Sequence, residues 1–139
     1  PLRRATARLK LAQVGLLDRA DAFPAELSGG QVKRAAIARA MALDPKILFL
    51  DEPSAGLDPI TSASLDALIK GLSRDLGITV VIISHELASI DAIADRALYL
   101  DRAVGGVLDQ GAPAELRAHS PHPAVRAFFN RAPNPGAAP

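Results

Sequence analysis

Ile47-Leu48-Phe49-Leu50-Asp51-Glu52-Pro53, residues 47–53, is the stretch that decides how this chain folds. Its apolar run lies between Pro45 and Pro53, is too short for a helix and shows no polar alternation, so it reads as a short buried strand. Asp58-Pro59 then supplies an N-cap with proline at the first helical position. Leu65, Leu68, Ile69 and Leu72 recur at helical spacing until Gly77 ends the pattern. Thr79 to Ile83 is a second apolar run and a second expected buried strand. A strand, a helix of this length and another strand make a right-handed crossover with the two strands parallel. The predicted fold class is α/β, a parallel sheet with flanking helices.

Upstream, Arg3 to Val14 mixes Leu9, Leu11 and Val14 with basic positions and predicts a helix ending at Gly15. A helix from Gly29 to about Leu43 carries Val32, Ala36, Ala40 and Leu43 along one expected face and stops before Asp44-Pro45. Downstream, a helix near Glu86 to Ala94 precedes two short strands, Ala97 to Asp101 and Val107 to Gln110, which flank Gly105-Gly106 as a hairpin. Short helices follow around Pro113 to Ala118 and Pro123 to Asn130, and residues 131–139, ending in proline, glycine and alanine, read as a flexible tail.

The 139 residues, 49% apolar, suit one domain with a core of its own. A formal charge of +1 gives no electrostatic case for nucleic acid as a partner. The absence of cysteine excludes disulfides and thiolate metal sites and is compatible with the cytoplasm. No apolar run approaches the roughly 18 residues of a membrane span, and no signal-peptide pattern is present. The first residue is Pro1 rather than methionine, which suggests a fragment.

In an open parallel sheet the ligand lies beyond the carboxyl ends of the strands. The first strand delivers Asp51 and Glu52 there, and the second delivers Ser84 and His85. An apolar strand ending in aspartate is the Walker B arrangement, in which the carboxylate holds Mg²⁺ on a bound nucleotide. Glu52 is then a candidate general base for an attacking water. Each element also has a plainer reading: Asp-Glu as a solvated turn, Asp58 as a helix cap, and His85 as a structural histidine.

Leu27-Ser28-Gly29-Gly30-Gln31 adds a phosphate-directed feature. Ser28 and Gln31 are spaced for a capping box, and the two glycines inside it allow another molecule close to the backbone. The free N–H groups of such a helix start attract anions, and Lys33 and Arg34 one turn on suit an arriving phosphate, although with Arg39 they also read as a solvated face. The chain's own P-loop is not there to hold that phosphate, because no lysine directly follows a glycine.

LSGGQ (27–31), ILFLDEP (47–53), SAGLD (54–58) and SH (84–85), in this order and spacing, strongly resemble the ATP-binding-cassette ATPases, a P-loop NTPase-like fold. The resemblance implies that residues 27–31 are the signature motif, Asp51 the Walker B aspartate acting on Mg²⁺ through water, and Glu52 the catalytic base. It implies that Ser54 to Asp58 form a D-loop at a dimer interface and that His85 is a switch histidine sensing the γ-phosphate. It covers about Arg3 to Gly111 well, and residues 1–130 look like the C-terminal part of a nucleotide-binding domain, the N-terminal P-loop half being missing. In this family two subunits sandwich ATP head to tail, so the phosphate facing Ser28 belongs to a second nucleotide-binding subunit, with a homodimer expected. A membrane permease subunit is the other implied partner, which puts the chain in the cytoplasm, peripheral on the inner face of the cell membrane.

Leu57-Asp58-Pro59-Ile60, Ser84 to Ile90 and Ala124-Val125-Arg126-Ala127-Phe128-Phe129 resemble more narrowly the ATPases of mammalian-cell-entry-type lipid transporters, also known for organic-solvent resistance and toluene tolerance. That resemblance implies phospholipid as cargo. Translation-associated and chromosome-maintenance cassette ATPases are the alternatives, and neither the sustained heptads nor the dense basic run they call for is present.

Overall fold

The computed structural model describes residues 2–133, so the expected tail at 131–139 falls mostly outside the described residues. Two compact units divide the chain, Pro1–His85 and Glu86–Pro139.

The first unit begins with α1 (Leu2–Gln13), which is followed by Gly15 at φ 71°. Short 3-10 turns at Leu17–Arg19 and Pro24–Glu26 lead to α2 (Gly29–Ala40), and a third, Met41–Leu43, ends at Asp44 in the left-handed region. The strand β1 (Ile47–Asp51), the helix α3 (Pro59–Leu76) and the strand β2 (Thr79–Ile83) form the expected strand-helix-strand unit. β1 and β2 pair in parallel, with Ile47 opposite Thr79 and Asp51 opposite Ile83. Gly77 at φ 64° stops α3 in the left-handed conformation that glycine adopts without a Cβ clash.

Two burial expectations are corrected. The face of α2 turned inward is Gly30, Ile37, Ala38 and then Met41 beyond its end, whereas Val32, Ala36, Ala40 and Leu43 are exposed. Apolar residues are spaced all round this helix, so periodicity alone could not choose between two stripes. The strands are likewise not buried on both faces. Leu48 is buried, while Ile47, Phe49, Val81 and Ile83 on the opposite side of the strands are exposed, Phe49 at 72%. On α1 the buried position is Lys10, whose ammonium is hydrogen-bonded to Asp44.

The second unit holds α4 (Leu87–Ile93), the antiparallel hairpin β3 (Ala97–Asp101) and β4 (Gly106–Gly111), and two short helices, α5 (Pro113–His119) and α6 (Pro123–Phe129). Leu87, Leu116, Val125 and Phe129 form its core, and Tyr99 and Phe128 pack against it, their own rings edge to face with centroids 5.5 Å apart. No helix among the described residues is long and apolar enough to cross a membrane.

Candidate functional site

The register of the parallel pair sets the site. Asp51 and Ile83 are partners, so the two strands end level and Asp51-Glu52 emerges beside Ser84-His85. Glu52 leaves β1 at φ 44°, a left-handed conformation that costs a non-glycine residue free energy and persists where surrounding bonds enforce it. Its N–H donates to the Ile83 carbonyl at 2.9 Å, which locks the turn to the neighbouring strand.

That turn points the Glu52 side chain at His85. Glu52 Oε1 lies 2.7 Å from His85 Nδ1, so with Glu52 ionised the imidazole donates and the carboxylate accepts. The second oxygen, Glu52 Oε2, is buried with no hydrogen-bond partner. A buried carboxylate oxygen is costly to leave unsatisfied, so this one is an acceptor awaiting a donor. Asp51 is different: its carboxylate stands exposed at the strand end.

Among the described residues no cluster of three or more His, Cys, Asp or Glu could hold a metal ion alone. Magnesium does not need one, since it keeps several waters and takes one or two carboxylates plus substrate phosphates. The exposed Asp51 carboxylate, a hard oxygen donor, fits that pattern.

The start of α2 forms the expected box. Ser28 Oγ accepts from Gln31 N–H at 3.3 Å, and Gln31 Oε1 accepts from Ser28 N–H at 2.9 Å. The two glycines turn out to have different reasons. Gly29 is exposed, and a Cβ there would meet only Leu57 Cδ2 in ordinary contact at 3.6 Å. Gly30 is buried, and a Cβ there would sit 2.6 Å from Thr61 Cγ2. The close approach at Gly30 is therefore made by this chain's own α3, and only Gly29 leaves backbone open to another molecule. Leu27 leads into the box in extended conformation.

Asp58 caps α3. Its Oδ1 accepts from the N–H groups of Ile60 and Thr61, both at 3.0 Å, and its Oδ2 accepts from Thr61 Oγ1 at 2.5 Å. The Thr61 hydroxyl first, and then the backbone donors, hold the Asp58 carboxyl below its ordinary value. The plainer reading of Asp58 as a cap describes all three of these bonds.

The basic pair after the box divides as well. Arg34 is spent internally, donating through Nη1 to the Val14 carbonyl at 3.1 Å and through Nη2 to Ser64 Oγ at 2.8 Å. It ties the turn after α1 and the helix α3 to α2, which corrects its expected availability to phosphate. Lys33 Nζ instead donates to the Glu52 carbonyl at 3.3 Å. Sequence reasoning missed this contact, because it joins residues 19 positions apart and no local spacing encodes it. The first unit thus gathers the box, Asp51, Glu52, Asp58 and His85 onto neighbouring elements.

Comparison with known proteins bears on this arrangement. Residues 3–55 match the family model described as ABC transporter. Over 133 residues the chain is 45% identical to the methionine import ATP-binding protein MetN of Rhodospirillum rubrum, an overlap covering 96% of this chain and 37% of that protein. Over 126 residues it is 39% identical to the glutamine transport ATP-binding protein GlnQ of Bacillus subtilis, covering 91% of this chain and 51% of that one. The chain therefore spans between about a third and a half of the length of these relatives. Among solved structures, CbiO1 of Clostridium perfringens, part of the ABC transporter complex CbiONQ, superposes with a TM-score of 0.76 at 34% identity, covering 84% of this chain and 45% of that one. The ADP conformation of MJ1267, an ATP-binding cassette of an ABC transporter, gives a TM-score of 0.77 at 27% identity over 91% of this chain and 49% of that chain.

Proposed function

We propose that the chain belongs to the ABC transporter family of ATP-binding domains and is the C-terminal portion, residues 1–130, of an ATP-hydrolysing transport subunit. The observation that carries the proposal is the Glu52 carboxylate, held through Oε1 by His85 and presenting a buried, unsatisfied Oε2 at the carboxyl end of a parallel strand pair. Glu52 Oε2 accepts a proton from the attacking water as general base. His85 fixes the orientation of that carboxylate and, once ATP is bound, responds to its γ-phosphate. Asp51 would hold the Mg²⁺ that accompanies the nucleotide. When bound, the metal supplies charge neutralisation to the phosphates.

Ser28 and Gly29 face the γ-phosphate of a second subunit, with Leu27, Gly30 and Gln31 shaping the turn that presents them and Asp58 holding the segment beside it. Two copies then enclose ATP head to tail, a membrane permease takes up the movement, and the subunit sits on the cytoplasmic face of the membrane. No role for nucleic acid is proposed.

The relatives reported above are named for methionine and glutamine, which favours import of an amino acid over the phospholipid cargo expected from the sequence. The residues behind that expectation have other duties here. Val125, Ala127 and Phe129 are buried in the second unit and Asp58 is a helix cap, so they report packing rather than cargo.

Replacing Glu52 by Gln in the intact subunit tests the reading. Turnover is expected to fall by about two to four orders of magnitude, the usual worth of a general base, while ATP binding persists and the ATP-bound dimer accumulates. Equal losses of binding and turnover would assign Glu52 a structural role instead.

A further inference from the structure

We propose that Lys33 is a positioning residue, one that ties the helix carrying the Ser28 box to the peptide of Glu52 and so couples the nucleotide capped by that helix to the base of the subunit's own site. The inference rests on the reading of Glu52 as base.

Glu52 is held at three points. Its N–H is bonded to Ile83 O at 2.9 Å and its carboxylate to His85 Nδ1 at 2.7 Å, both from the second strand and its end. The third point is its carbonyl, which accepts from Ala55 N–H at 3.2 Å within the local turn and from Lys33 Nζ at 3.3 Å. A carbonyl oxygen has two lone pairs, and here both have donors. Lys33 is thus the point at which α2 reaches the Glu52 peptide.

The conformation being held makes the contact consequential. At φ 44° Glu52 occupies a region that a non-glycine residue leaves readily when its restraints are loosened. Relaxation of that peptide would swing the side chain away from His85 and displace Oε2. Lys33 stands five positions after Ser28 on the same helix, half-buried, with its ammonium on a neutral carbonyl rather than on the Glu52 carboxylate. A small shift of α2 when Ser28 and Gly29 engage a phosphate is therefore passed to Glu52 through one hydrogen bond. The structural link in the other direction, Gly30 against Thr61, keeps α2 seated on α3 so that the shift is shared with the segment that caps it.

The test compares Lys33→Met, which keeps the stem and removes the ammonium, with Lys33→Arg, which keeps a charged donor, and with Glu52→Gln, all in the intact subunit. The expected result for Lys33→Met is a kcat lowered roughly tenfold to a hundredfold, the scale of a misplacement of about 1 Å, with the KM for ATP within about twofold and the thermal midpoint unchanged. Lys33→Arg should recover most of the turnover, and Lys33→Met should add nothing in the Glu52→Gln background. A kcat within about twofold of the parent, a loss expressed in KM, or an additive loss on top of Glu52→Gln would overturn the proposal. Should Lys33→Met lower the thermal midpoint, Lys33→Leu, which likewise lacks a donor, replaces it under the same criteria. Full turnover by Glu52→Gln would instead overturn the reading of the base itself, a different outcome from an inactive Glu52→Gln beside an unaffected Lys33→Met.

Discussion

At the scale of single residues, glycine shows how one residue type serves two ends in adjacent positions. Gly30→Ala would drive a Cβ to 2.6 Å from Thr61 Cγ2, so either α2 and α3 separate or Thr61 leaves its rotamer and its bond to Asp58, at a cost of roughly 1–3 kcal/mol for such overpacking. Thr61→Ser removes the opposing methyl while keeping the hydroxyl that bonds Asp58, and should restore most of that loss in chemical denaturation of the double variant. Gly29→Ala, with only Leu57 at 3.6 Å, should unfold like the parent. Ser28→Arg tests the other end of the same turn. It should leave ATP binding by the same subunit nearly intact and block closure around the partner's nucleotide, read by crosslinking across the dimer interface; loss of binding in the subunit that carries the change would contradict action on a partner. Asp58 adds a pH dependence whose sign is fixed by its lowered folded-state pKa. The stabilisation from this cap is fully present above the ordinary value near 3.8 and disappears as pH falls through the lower folded value. Asp58→Asn should flatten that part of the acid unfolding curve, since a neutral amide oxygen still caps and no longer titrates.

At the scale of elements, the second unit is fastened by side chains that bridge short helices. Arg117 on α5 donates from Nη2 to both oxygens of Asp91 on α4, at 2.6 and 2.5 Å, and from Nε to the Phe129 carbonyl at the end of α6, at 3.0 Å. Arg117→Lys keeps the charge but cannot span these acceptors with one rigid fork. The expected outcome is a lower thermal midpoint and faster amide exchange in α6. Undiminished protection there would show that the core of Leu87, Leu116, Val125 and Phe129 suffices alone. Ser120, at the end of α5, donates to Asp109 Oδ2 at 2.5 Å, and this bond first, with Gln110 N–H, lowers the Asp109 pKa. Its contribution likewise fades as pH falls below the ordinary carboxylate range. These elements were legible in advance. Gly105-Gly106 marked the hairpin, and Pro113 and Pro123 marked helix starts, because turn and cap signals act within a few residues.

For the whole molecule, the exposed outer face of the first sheet is the feature with the widest consequence. Ile47, Phe49, Val81 and Ile83 make a contiguous apolar surface of the kind that marks a contact face. The 139-residue chain by itself should therefore bind a hydrophobic dye such as ANS, and Phe49→Lys should weaken that binding while reducing turnover of the intact subunit. Unchanged turnover would separate this face from the working assembly. The chain alone is also expected to show no steady-state ATP turnover above its Glu52→Gln variant, because phosphoryl transfer depends on positioning of the phosphates and none of its lysines sits in a P-loop.

The sequence by itself determined the strand-helix-strand unit, the hairpin, the Ser28–Gln31 box, the Asp58 cap and the carboxylates at the end of β1. Each of these rests on hydrogen bonds or periodicity spanning a few residues, which neighbouring residue types specify directly. Tertiary structure decided which stripe of α2 turns inward, why Gly30 is glycine, where Arg34 and Lys33 spend their donors, and which face of the sheet stays exposed. Those outcomes join residues 19 to 31 positions apart and depend on the rotation of each helix about its axis. That rotation is fixed by the packing of all its neighbours together, so no single stretch of chain encodes it.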